Sequence, residues 1–178
     1  MDRSLSIRLV RLPDDGAALD RLDGTMTTHQ AYVVRAGPDG FALHLEPVPM
    51  LTRRLAVDDW SSPDRLWERG WVAEKAGAVV GVLCTRYERW NRRLVVWHLY
   101  VDRAHRRHGV ARALMIAAVD EGRRAGARTL WLETQNVNVP AIRAYQALGF
   151  TLCGLDLTLY RGTAHEGDVA LYMARPLD

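Results

Sequence analysis

Between the strand ending at Val101 and the alanine-rich stretch that follows, the chain carries Arg106-Arg107-His108-Gly109-Val110-Ala111-Arg112, residue types and a spacing suited to holding phosphate. A helix that starts here presents backbone N–H groups with no partner inside the helix and the positive end of its macrodipole, so an anion meets donors and favourable charge together. Gly109 lets the backbone approach such an anion, because glycine accepts φ angles that other residues avoid and carries no Cβ. Arg106, Arg107 and His108 are candidate charged donors to phosphate oxygens. The same residues also describe an ordinary strand-to-helix turn with solvated arginines, and only the surrounding elements can separate the two.

Those elements have a clear pattern. Leu94 to Val101 is bulky and β-branched, which suits a pleated, largely buried strand, and Asp102-Arg103-Ala104-His105 breaks it. Apolar residues through Val119 recur at helical spacing, and Gly122 to Gly126 supplies the glycine and arginine of a helix C-terminus. Thr129 to Thr134 reads as a strand. Asn138 then caps a helix that has Pro140 in its first turn and runs through Ala141, Ile142, Tyr145 and Leu148 to Gly149. A final strand pair is expected over Phe150–Tyr160 and Val169–Ala174, around a loop from Arg161 to Gly167.

Upstream, Ser6 to Val10 reads as a first strand, and Pro13-Asp14-Asp15 as the start of a helix reaching Gly24. Thr25 to Thr28 fits no single element. Gly37-Pro38-Asp39-Gly40 turns a hairpin between Tyr32–Val34 and Phe41–Leu43. Pro47 to Pro63, with its prolines and mixed charges, reads as a loop containing a helical turn from Asp58, placed to cover a substrate. Trp71–Glu74 and Val79–Thr85 form antiparallel strands around Lys75-Ala76-Gly77, and Glu88 to Asn91 links them to the central strand. Strands alternating in this way with helices indicate a mixed α/β sheet.

Two blocks together resemble the GNAT acetyltransferase superfamily: the loop Arg106-x-x-Gly109-x-Ala111 after Leu99-Tyr100-Val101, and Asn138-x-x-Ala141-x-x-x-Tyr145-x-x-x-Gly149-Phe150. The resemblance is closer still to streptothricin acetyltransferases. It runs through Gly40-Phe41-Ala42-Leu43, Trp90-Asn91, Leu130-Trp131-Leu132-Glu133, Asn136-Val137-Asn138, Cys153-Gly154-Leu155-Asp156, Leu159-Tyr160 and Ala170-Leu171-Tyr172-Met173, and so spans most of the chain. It implies the GNAT acyl-CoA N-acyltransferase fold, an α/β mixed central sheet flanked by helices, with a splay between the two central parallel strands. The hairpin at Gly37–Gly40 would lie on the acceptor side.

The implied reaction moves acetyl from acetyl-CoA, a co-substrate, to a primary amine by direct attack in a ternary complex. Acetyl-CoA contacts are implied for Leu99, Tyr100, Val101, Arg106, Arg107, His108, Gly109, Val110, Ala111, Arg112, Asn138, Ala141 and Tyr145. A backbone N–H near Leu99 or Val101 takes the part of thioester oxyanion donor, and Tyr145 that of the acid that protonates the departing thiolate. By residue type alone, Tyr145 is equally a core-facing aromatic on an amphipathic helix. An alkyl ammonium with pKa of about 10 must lose a proton before attack. Glu133, His98 and Glu88 are the candidate bases, and a water chain is an alternative. One departure concerns the acceptor: the strand that is acidic in the streptothricin enzymes carries Trp97, His98 and Tyr100 here.

Composition sets the outer bounds. At 178 residues with 48% apolar content, residues 1–178 are expected to form a single domain. No apolar run reaches membrane-spanning length, and Met1 to Leu5 lacks the shape of a secretory signal, so the expected location is cytoplasmic with no membrane partner. Cys84 and Cys153 read as reduced thiols packed as small hydrophobes, with no metal site. Net charge is +3, but the arginines are scattered from Arg3 to Arg175 and Lys75 is the only lysine, a pattern that argues against nucleic acid. The readings that compete with a streptothricin-type acceptor are a GNAT acting on a polyamine, an aminoglycoside-like metabolite or a protein N-terminus or lysine, and a catalytically silent acyl-CoA-binding module. A homodimer paired through the C-terminal strands fits any of them.

Overall fold

The computed structural model describes residues 5–54, 60 and 62–177. In chain order the elements are β1 (Leu5–Leu9), α1 (Gly16–Asp20), β2 (Met26–Gly37), β3 (Gly40–Arg53), β4 (Arg69–Lys75), β5 (Ala78–Glu88), β6 (Arg93–Val101), a 3-10 turn (Arg103–His105), α2 (Val110–Ala125), β7 (Thr129–Gln135), α3 (Val139–Ala147), β8 (Thr151–Asp156) and β9 (Ala170–Pro176). They fall into two compact units. The first comprises Met1–Thr25, Arg54–Trp131 and Pro176–Asp178, the second Met26–Arg53 and Leu132–Arg175. Among the described residues no helix is long and apolar enough to cross a membrane.

In the first unit the strand order is β1-β4-β5-β6-β7. Neighbours are antiparallel as far as β6, and β6 pairs with β7 in parallel over Arg93–Val95 and Thr129–Trp131. This is the mixed sheet with a parallel pair that the sequence implies. The β4–β5 hairpin closes on Ala76 (φ 50°) and Gly77 (φ 80°), two successive left-handed residues whose twist matches that of the flanking strands. One face of the sheet offers Val72, Val82 and Cys84 to Leu19, Leu22, Trp60 and Trp67. The helix α2 buries Val110, Leu114, Met115, Ala118, Val119 and Gly122, one stripe at helical spacing. Contact between α2 and β5 is close at Gly81, where an added Cβ would stand 3.0 Å from both the Tyr100 carbonyl oxygen and Val110 Cγ1.

The first helix is shorter than the sequence suggests. Asp15 stands at its N-cap, but its carboxylate takes two hydrogen bonds from Arg8 (2.8 Å each) and one from the Arg11 backbone N–H (2.7 Å) and makes no cap bond. Arg8 also donates to Glu74 on β4 (2.7 Å), so the polar residues at this end fasten α1 to the sheet. The bond from Arg8 is the main cause that holds the Asp15 carboxyl below the usual range.

In the second unit β9 lies between β7 and β8, while β2 and β3 form a separate two-stranded ribbon. That ribbon corrects the expected loop from Pro47. β3 continues to Arg53, and the prolines are accommodated because the register slips between Thr28 and Gln30, opposite Pro47 to Leu51. Proline, which cannot donate to a ladder, is tolerated at such irregularities and in edge strands. The expected helical turn from Asp58 lies outside the described residues. The strand expected to run to Tyr160 stops at Asp156 for an identifiable reason: its carboxylate accepts from Thr158 N (2.6 Å), Thr158 Oγ1 (2.7 Å) and Leu159 N (3.1 Å), a local turn that competes with the ladder. On α3, Asn138 caps as expected, accepting from the Ala141 N–H at 3.3 Å, and Pro140 sits in the first turn.

Candidate active site

The phosphate-loop candidate lies wholly in the first unit, and its backbone is unusual. Arg107 has φ 65° and Gly109 φ 79°, so left-handed residues punctuate the segment immediately before α2. Backbone of this kind turns successive N–H groups toward one concave surface, the geometry that receives anions. Gly109 is the N-cap of α2, no side chain caps that end, and an added Cβ at Gly109 would meet no atom within 4 Å. The first-turn N–H groups of α2 thus donate to no capping side chain at Gly109.

The arginines divide the work differently from the expectation that each donates to phosphate. Arg106 is half-buried and turned inward: Nε donates to the Val101 carbonyl (3.0 Å), Nη1 to that of Thr25 (2.6 Å) and Nη2 to that of Asp23 (3.2 Å). Burial, countered by Asp23, lowers its pKa from the ordinary value. Arg106 is thus a brace that ties the loop to the end of β6 and to the segment after α1. Asp102 reinforces the same junction by accepting from the Asp23 N–H (3.1 Å). His108 Nδ1 donates to the Arg106 carbonyl at 2.7 Å and stiffens the turn from outside. Arg107, His108 and Arg112 are exposed.

On β6 the ladder with β5 passes from Thr85↔Val96 to Cys84↔His98, leaving Trp97 as an extra residue in a bulge. A bulge withdraws backbone from pairing and re-aims the strand, and it falls just before Leu99 and Val101, the expected oxyanion donors. His98 is buried, edge-on to Trp60 (ring centroids 5.5 Å apart) and stacked with Tyr100 (5.7 Å). Glu88 stands near the end of β5 in an ion pair with Arg86 at 3.3 Å.

The second unit holds the remaining candidates. Glu133 on β7 accepts a short hydrogen bond from the Tyr160 hydroxyl. Desolvation raises the Glu133 pKa above the ordinary carboxylate value, and the bond from Tyr160 pulls partly the other way. Burial and that same bond push Tyr160 up, so it stays a neutral donor. Tyr160 is positioned by the Asp156 turn and by His165, whose ring meets it edge-on at 6.0 Å. The far end of that loop is pinned by an ion pair between Arg53 and Asp168. Tyr145, half-buried on α3, tilts against Phe150 with centroids 5.9 Å apart, and Ala141 lies one turn before it on the same helix. Asn136, in the block that precedes the cap, is a structural latch: Nδ2 donates to the Tyr32 carbonyl (2.8 Å) and Oδ1 accepts from the Val169 N–H (2.9 Å).

Sequence reasoning missed Tyr160 as the partner of Glu133. The two are 27 positions apart, and the only available signal was that both fall in blocks resembling streptothricin acetyltransferases.

The family model described as Acetyltransferase (GNAT) family matches residues 41–150, and the chain belongs to that family, the acetyl-CoA-dependent N-acetyltransferases. Among its relatives, a streptothricin acetyltransferase of Streptomyces lavendulae is 40% identical over 172 residues, 92% of this chain and 91% of that protein. Human N-acetyltransferase 8 is 35% identical over 96 residues, 50% of this chain and 42% of its own. Of solved structures, nourseothricin acetyltransferase superposes with a TM-score of 0.88 at 45% identity, covering 98% of this chain and 99% of that one. A Bacillus anthracis protein in complex with acetyl coenzyme A shares the fold at TM-score 0.82 and 22% identity, over 97% of this chain and 99% of its own.

The loop before α2 fits the family's co-substrate, since its open backbone donors and Gly109 meet the needs of a pyrophosphate. Gly109→Ala is expected to cost about 1–2 kcal/mol of stability, because a left-handed residue must now carry a Cβ. It should raise the KM for acetyl-CoA and leave that for the amine unchanged. Urea unfolding and initial-rate kinetics on the purified variant check both parts.

Proposed function

We propose that this chain transfers the acetyl group of acetyl-CoA to a primary amine of a streptothricin-type molecule, by direct attack within a ternary complex. One observation carries the choice of acceptor: the likeness to a streptothricin acetyltransferase runs end to end at 40% identity, whereas N-acetyltransferase 8 matches only half of the chain. In this reading the backbone of Arg107 to Arg112 holds the pyrophosphate, and a backbone N–H at Leu99 or Val101 stabilises the oxyanion, a contribution of roughly 3 kcal/mol in comparable sites. Glu133 is the base. As the C–N bond forms and the C–S bond breaks, the amine's proton passes to Glu133 and the thiolate takes a proton from Tyr145. The burial of Glu133 supports its role, because a carboxylate raised above its ordinary pKa is a better match to an amine's proton. His98, enclosed by Trp60 and Tyr100, is read as packing.

Thiol release from acetyl-CoA, measured with streptothricin, a polyamine, an aminoglycoside and an N-terminal peptide, tests the proposal. Streptothricin is expected to be turned over most efficiently. Preference for another amine would overturn the acceptor, and silence with every amine would overturn the catalytic reading.

A further inference from the structure

β7 alternates along its length, with Leu132 and Thr134 buried on one side and Glu133 and Gln135 projecting from the other. Gln135 is only 8% exposed, yet its side-chain oxygen has no hydrogen-bond partner among the described residues. A buried acceptor left unsatisfied costs a protein a substantial desolvation penalty, so such an atom calls for an explanation. Its neighbour supplies one. Glu133 stands about 6.5–7 Å away along the strand, and among the described residues its side chain is bonded through Oε1, by Tyr160. Oε2 of Glu133 and Oε1 of Gln135 are therefore two acceptors on one face of one strand, one of them anionic and fixed in place.

We propose that Gln135 is a positioning and specificity residue for the acceptor, its side-chain oxygen taking one N–H of the attacking primary amine while Glu133 takes the other. This rests on the reading above that the chain acetylates an amine with Glu133 as base. A neutral primary amine has two N–H donors and one lone pair. With both donors held by β7, the lone pair is left to face the thioester, and one of the held protons is already on its way to Glu133. A secondary amine has a single N–H and must leave one of the two acceptors empty. The pair thus selects primary over N-alkylated amines, by the rule that a site built to pair a polar group rejects the analogue lacking it.

The test compares wild-type protein with Gln135→Met and Gln135→Glu, on the best acceptor found and on its N-methyl derivative. Methionine keeps the length of glutamine and removes the oxygen that bonds no described residue together with the amide nitrogen, so its melting temperature is measured beside the kinetics to separate a fold defect from a lost contact. Gln135→Met should raise the amine KM roughly 2- to 10-fold, the range for a hydrogen bond between neutral groups, with the KM for acetyl-CoA unchanged. Gln135→Glu, which restores an acceptor, should return the amine KM close to that of wild type. Its kcat is read separately, because a second carboxylate would push Glu133 further up. An active Gln135→Met enzyme with an unchanged amine KM overturns this inference alone, as does wild-type protein that uses the N-methyl amine equally well. Both KM values rising together with a lowered melting temperature would mark a fold defect and also overturn it. Wild-type protein inactive toward every amine removes the amine reading and this inference with it.

Discussion

Tyr145→Phe is expected to lower kcat by roughly 10²–10⁴-fold, the usual contribution of a positioned acid, while leaving both KM values within a few-fold of wild type. The chemistry is simple. A free thiol has a pKa of about 8.5, so near neutral pH the product is mostly the protonated thiol, and an acid that delivers the proton as the C–S bond breaks eases the departure of sulfur. Tyr145 is a phenol on a helix anchored by the buried Val139 and Ile142, and its ring packs against Phe150. Phenylalanine keeps that ring contact and removes only the hydroxyl. Fold and chemistry are therefore separable in this variant: the melting temperature should barely move while turnover collapses. Full activity in Tyr145→Phe would return the residue to a packing role on α3. Equal loss of rate and of acetyl-CoA affinity would make it a binding residue.

What could be read in the sequence was whatever local patterning encodes. Period-two and helical spacing located β4 to β7, α2 and α3, and the cap at Asn138 was visible because capping is a relation between near neighbours. The special backbone at Gly109 was legible for the same reason, since glycine is the residue that this conformation favours. The errors share a different cause. β3 runs through Pro47 and Pro49 because a slip in its register with β2 accommodates them, and β8 stops at Asp156 because a carboxylate folds back on the next residues. Both outcomes depend on partners that composition does not reveal. The site shows the same division. Arg106 resembles a phosphate ligand by type and spacing, but its donors go to carbonyls of Asp23, Thr25 and Val101. Three of the five N–H donors of a guanidinium are spent on building the loop. The pairing of Glu133 with Tyr160 and the buried, unpaired acceptor of Gln135 arise only when distant segments meet, and no periodicity announces them.

Glu133→Gln carries the other large effect: kcat at neutral pH should fall by roughly 10²–10⁴-fold, and part of the loss should return at high pH. The base takes a proton from the amine as the C–N bond forms, and as pH approaches the amine's own pKa of about 10 solvent hydroxide takes over part of that task, so the variant recovers relative to wild type. In the wild-type enzyme kcat should decline as pH falls through the pKa of Glu133, and desolvation places that decline above the ordinary carboxylate range of about 4.3. Tyr160→Phe sharpens the assignment. Its hydroxyl bonds the ionised carboxylate and so holds the pKa down, and its loss should move the acid limb of the profile to still higher pH. A limb unmoved by Tyr160→Phe would mean that another group is being titrated. Stability gives an independent check with a definite sign. A carboxyl whose pKa is higher folded than unfolded binds more protons in the native state, so the stability it contributes is fully present below the unfolded pKa and is lost as pH rises through the folded one. Glutamine does not titrate, so Glu133→Gln should melt above wild type at pH values beyond the folded pKa, and the difference should vanish in acid. A base loses its use and a buried charge loses its cost in the same substitution. Slower turnover joined to a higher melting temperature at neutral pH is what a desolvated catalytic carboxylate predicts, whereas a merely structural glutamate bonded to Tyr160 would lose stability when replaced.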